Sequence, residues 1–137
     1  MDIKQDELCF DLGLNTLNVT LLANSKEQIC VEKIKSLLKF GITSTRYKDV
    51  FDIYYLINTN NFDKIRFINY LDKFVFKDSL IGENNLSEIK NSLSNILSNS
   101  RFKSMLNMAK NNWTELPVEN VITIIIEFLT SLELVEV

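Results

Sequence analysis

The residues best suited to chemistry cluster in Thr45-Arg46-Tyr47-Lys48-Asp49-Val50-Phe51-Asp52, which places two bases and two acids in what reads as the first two turns of a helix. At helical pitch Val50, Ile53, Tyr54 and Ile57 form an apolar stripe, with Arg46 in line with it and Asp49 at its edge. A charge on a core-facing side loses hydration and needs a partner or a function. Arg46 and Asp49, three apart, can reach each other. Lys48 and Asp52, four apart, fall on the far side, where a solvated ion pair contributes about 0.3–0.5 kcal/mol. Two readings stay open: a structural pair that closes a helix start, or a charged site where that helix meets another surface. Lys33 flanks the apolar face of the preceding segment, a position where a lysine ordinarily lays its stem on the core and keeps its ammonium in water.

The chemistry these residues can support is bounded by what the chain lacks. It has no histidine and only two cysteines, Cys9 and Cys30. That removes the usual proton shuttle and leaves zinc coordination unsupported. Any acid or base must be Asp, Glu, Lys or Tyr, and a metal bound through carboxylates would be magnesium. Both cysteines sit within apolar patterns, as reduced core residues do.

The 137 residues fit one domain, with 46% hydrophobic and 24% charged residues, the composition of a soluble globular protein. No apolar run approaches the length needed to span a bilayer, and the N-terminus lacks the features of a signal peptide, so a cytoplasmic location without membrane contact is expected. The net charge of −3 is unevenly distributed. Residues 33–110 carry thirteen bases and seven acids, while 1–32 and 111–137 are acidic. The middle could therefore offer a basic face to a polyanion, although Lys90, Lys103 and Lys110 are spaced along helices as solvated faces usually are.

The elements that must position these groups are mostly helical. Glu7 to Leu12 and Asn18 to Leu22 read as two short strands of a hairpin. Ser25 precedes a helix with Cys30, Val31, Ile34, Leu37 and Leu38 on one face and Gly41 as its stop. The charged helix follows, from about Thr45 to Asn58. A third helix, about Asp63 to Lys77, is expected to turn Ile65, Ile68, Leu71, Phe74 and Val75 inward. Leu86 to Leu97 forms a Ser- and Asn-laden helix that depends on tertiary packing. Phe102, Met105, Leu106 and Ala109 continue into another, ending near Trp113. After Pro117 the period of three and four favours a helix, although the β-branched run Val121 to Ile126 leaves a strand open. The expected fold class is α+β, predominantly α-helical: a short N-terminal β-hairpin over residues 1–24, then five or six helices over 25–137, as a single domain.

The segment Ile29 to Leu38, with Glu32-Lys33, followed after a Gly-containing turn by Ser44 to Leu56, resembles the latter half of the AbiEii nucleotidyltransferase toxins of abortive-infection toxin-antitoxin systems. The Glu-Lys helix and the Arg-x-Lys-Asp-x-x-Asp helix match that family's order and spacing. The resemblance implies transfer of a nucleotidyl group from a nucleoside triphosphate, in some relatives onto tRNA, with magnesium. It implies catalytic roles for Asp49 and for Lys33, which would hold the triphosphate, with Arg46, Lys48 and Asp52 in support. The strand Leu8 to Gly13 resembles the family's strand bearing an active-site carboxylate, which implies a metal role for Asp11.

The family's catalytic domain begins with a Gly-Ser turn and an Asp-x-Asp pair, and this sequence contains neither. The expectation is therefore the C-terminal portion of such a toxin, inactive alone, with a cognate antitoxin or the missing N-terminal catalytic half as partner and tRNA or another RNA as substrate. Two other readings stand beside it. One is a degenerate free-standing helical module that binds an antitoxin or other protein. The other is a nucleic-acid-binding domain using the basic middle, whose affinity would depend on salt.

Overall fold

Ser25 starts the described part of the chain by capping the first helix, its hydroxyl accepting from the Gln28 N–H at 3.2 Å. The structure, a computed structural model, describes residues 25–136. Helix α1 (Lys26–Phe40) ends at Gly41, whose φ of +58° suits a residue without a Cβ. A 3₁₀ turn (Gly41–Thr43) leads to α2 (Tyr47–Ile57). Asp63 caps α3 (Lys64–Leu71), which runs on as a wide π turn over Asp72–Phe76. Asn85 caps α4 (Leu86–Ser98), Asn99 caps α5 (Ser100–Leu106), and α6 (Val118–Glu136) follows Pro117.

The expected α+β class is corrected: the described residues form helices alone, with no strand and no sheet. The hairpin expected in residues 1–24, with Cys9 and Asp11, lies outside the described residues. Within them the ambiguous run Val121 to Ile126 is helix. Val118, Val121, Ile125, Leu129 and Leu132 are buried along one side of α6, and that three-four period outweighs the β-branched preference for strand.

Helix α1 packs against α2 and α3, and α6 lies against α4 and α2, so α2 is enclosed from more than one side. Its buried face accordingly centres on Val50, Phe51, Ile53 and Leu56, while Tyr54 and Ile57 of the expected stripe are half-buried. Helix α3 turns Phe67 and Leu71 inward and leaves Ile65 59% exposed, contrary to expectation. Phe67, Leu71 and Val75, spaced four apart, line its buried side, the last through the wide turn. Helix α5 stops at Leu106, earlier than the apolar spacing suggests, so Ala109 is exposed and Trp113 sits in the loop before α6. Among the described residues no helix is long and apolar enough to cross a membrane.

Candidate functional site

Two helices converge on one charged cluster. Lys33, on the middle of α1, places its Nζ 3.0 Å from Asp49 Oδ1 and 3.1 Å from Asp52 Oδ2. The two aspartates lie three apart on α2 and so share a face. Arg46 stands at the N-terminal boundary of that helix and donates from Nε to Asp49 Oδ2 at 2.9 Å. The turn is held by the buried Ser44, whose hydroxyl accepts from the Arg46 backbone N–H. Asp49 is buried and belongs to the first turn of α2, where the helix dipole favours a carboxylate.

Burial alone would lower the pKa of Lys33. The hydrogen bond to Asp49 and the negative charges of Asp52 and Asp49 outweigh it, so the ammonium is held above its ordinary value of 10.5. Lys33 is therefore a fixed cation with two of its three N–H donors engaged. Arg46 enters the cluster through Nε, and its guanidinium is half-exposed.

Beside the cluster runs an open groove of about 450 Å³ along α1, lined by Lys33, Lys35, Lys39 and Arg46 with Glu32 on its wall. Lys35 is tied to Asp78 at 2.9 Å. The groove is thus lined by four cations and one carboxylate, and three of those cations, Lys33, Lys35 and Arg46, also carry ion pairs to Asp49, Asp52 and Asp78.

Lys33, Arg46, Asp49 and Asp52 come together, but Lys48 does not join them. It is exposed, and the Lys48–Asp52 pair expected on the far side is not formed. Asp52 instead turns to Lys33, because α1 packs along that side of α2. Glu32 is exposed, as its position on the helix requires. Of the α2 aromatics, Tyr47 packs edge-on against Phe102 and Phe51 is fully buried, whereas Tyr55 is exposed. Asp11 lies outside the described residues.

Sequence reasoning passed over Trp113. Its indole N–H donates to Asp52 Oδ1 at 2.9 Å across 61 residues of chain. The usable signal was a tryptophan set among Asn111, Asn112, Thr114 and Glu115, off every apolar stripe.

Asp49 and Asp52 offer no free oxygens to the magnesium that the resemblance implies. Asp49 gives its two oxygens to Lys33 and Arg46, and Asp52 gives its two to Lys33 and Trp113. A hard cation needs several free oxygens, and among the described residues no group of three or more acidic, Cys or His side chains could hold a metal. These residues do not fit a magnesium site.

A family model described as "Nucleotidyl transferase AbiEii toxin, Type IV TA system" matches residues 5–117 of the 137-residue chain. No curated protein and no solved structure matches it.

Proposed function

The chain belongs to the AbiEii nucleotidyl transferase toxin family, and from that premise we propose that its α1–α2 cluster holds the phosphates of a nucleoside triphosphate during nucleotidyl transfer. The observation that carries this reading is Lys33, fixed between Asp49 and Asp52 at the edge of a groove lined by further cations. In nucleotidyl transfer a hydroxyl oxygen bonds to the α-phosphorus, the bond to the β-phosphate oxygen breaks, and the hydroxyl proton is lost as pyrophosphate leaves. Catalysis of such a displacement consists largely of placement and charge neutralisation. Lys33 and Arg46 suit the growing negative charge on the departing phosphates. Asp49, with both oxygens occupied, acts as a positioning residue that orients the two cations.

In this reading the Gly-Ser and Asp-x-Asp groups come from a segment outside the 137 residues, and the chain alone completes no turnover. Membership of a type IV toxin-antitoxin family implies an antitoxin partner. Arg46, 56% exposed at its side chain, supports a ligand role over a purely structural pair.

The test is calorimetric titration of the chain with inorganic tripolyphosphate and with nucleoside triphosphates. Binding should weaken as salt rises and fall at least about tenfold in Lys33→Ala/Arg46→Ala, a loss of two charge-assisted contacts. Affinity indifferent to both residues would overturn the phosphate site. Labelling of RNA by the chain alone with magnesium would overturn the expected inactivity.

A further inference from the structure

The cationic cluster has a neighbour of a different chemical kind. Trp113 and Tyr55 pair with ring centroids 5.7 Å apart and planes tilted by 59°, and they are 50% and 43% exposed. Tyr55 lies three residues after Asp52 on α2, on the same side of the helix. Asp52 joins the two halves: one oxygen accepts from the Trp113 indole and the other from Lys33. We propose that Trp113, flanked by the tilted Tyr55 ring, forms a stacking platform for a nucleobase, placed beside the phosphate-binding cations by Asp52. The inference rests on the phosphate site proposed above and adds the part of the ligand which that site does not touch.

The platform is held in place before any ligand arrives. The indole is oriented by its hydrogen bond, and its loop is pinned by side chains. Buried Asn111 donates to the Met105 carbonyl at 2.8 Å, and Asn112 Oδ1 accepts from both the backbone N–H and the hydroxyl of Thr114. Glu115 adopts φ of +61°, an uncommon conformation for a residue with a side chain, so the loop after the ring follows a constrained path. A pre-oriented ring gives up little rotamer freedom on stacking. A ligand that satisfies both surfaces must carry a flat π face and a string of negative charge close together, and a nucleotide does. Stacking tolerates any base, because each has a π face.

The single tryptophan of the chain makes the test direct. Its fluorescence is followed while the full chain is titrated with nucleoside triphosphates, with tripolyphosphate, and with a short single-stranded RNA lacking a 5′-triphosphate. Calorimetry gives affinities for the native chain, Trp113→Ala, Trp113→Phe and Tyr55→Ala, with circular dichroism to verify folding. Nucleotide should quench the indole and tripolyphosphate should not. Trp113→Ala should weaken nucleotide binding about five- to a hundredfold and change tripolyphosphate affinity far less, and Trp113→Phe should keep most of the preference. Quenching and variant effects confined to the RNA assign the platform to the acceptor's base, and effects with triphosphates assign it to the donor's. Nucleotide and RNA that bind no better than tripolyphosphate, with the indole unmoved, overturn the platform and leave the phosphate site standing. Quenching by nucleotide without any tripolyphosphate binding refutes the phosphate site instead.

Discussion

Asp49 carries more of the cluster than its neighbour Asp52, and the difference is measurable. Its buried carboxylate binds Lys33 and Arg46 at 3.0 and 2.9 Å, whereas the side chain of Asp52 is 34% exposed. Asp49→Ala strands partly desolvated donors and should cost about 1–3 kcal/mol in urea unfolding, while Asp52→Ala should cost under about 1 kcal/mol. Equal costs would show that burial does not set the hierarchy. The meeting of Arg46 with Asp49 was legible because the two stand three apart on one helix. The approach of Lys33 was implied only by a resemblance, since spacing within one helix says nothing about which helix packs alongside. The bond from Trp113 to Asp52 was illegible for the same reason, since it spans 61 residues of chain. Cys30 is fully buried, and that burial pushes its thiol pKa up, as expected of an inert core cysteine.

Helices α1 and α3 are joined by a contact that periodicity does not reveal. Glu27, 2% exposed in the first turn of α1, accepts from the Asp63 backbone N–H at 2.9 Å and lies 3.8 Å from the Arg66 guanidinium. Asp63 in turn accepts from the Arg66 N–H, so one carboxylate steadies the residue that caps the next helix. Glu27→Ala should destabilise the chain by about 1–3 kcal/mol and speed amide exchange at the start of α3 before that of α6. Uniform exchange across both helices would argue against a local joint. Helix starts were readable from Ser25 and Pro117, and stops from Gly41, because capping is local chemistry. The phase of α3 was not. Ile65, Ile68 and Leu71 suggest one stripe and Phe67, Leu71 and Val75 another, and packing against α1 and α6 selects the second.

The molecule is acidic overall, yet its thirteen bases against seven acids between residues 33 and 110 include the four that line the groove. That asymmetry was visible in the sequence. The actual groove was not, because Lys90 and Lys103 of the same segment pair with Glu133 and Glu119 of α6. The α+β expectation failed on the described residues because no strand occurs there, and helix packing rather than a sheet organises the site. Lys33 carries one further consequence. Its folded pKa lies above 10.5, so the stability it adds is complete below that value and is lost as pH rises through the higher folded one. Unfolding free energy should therefore decline at alkaline pH, and Lys33→Met should flatten that decline; an unchanged slope would refute the assignment. With no histidine in the chain, Lys33 keeps its proton throughout the neutral range. A transfer rate that varied with acidity near neutrality would be recording a different proton: that of the attacking hydroxyl, of the nucleotide's terminal phosphate, or of a group beyond residues 25–136.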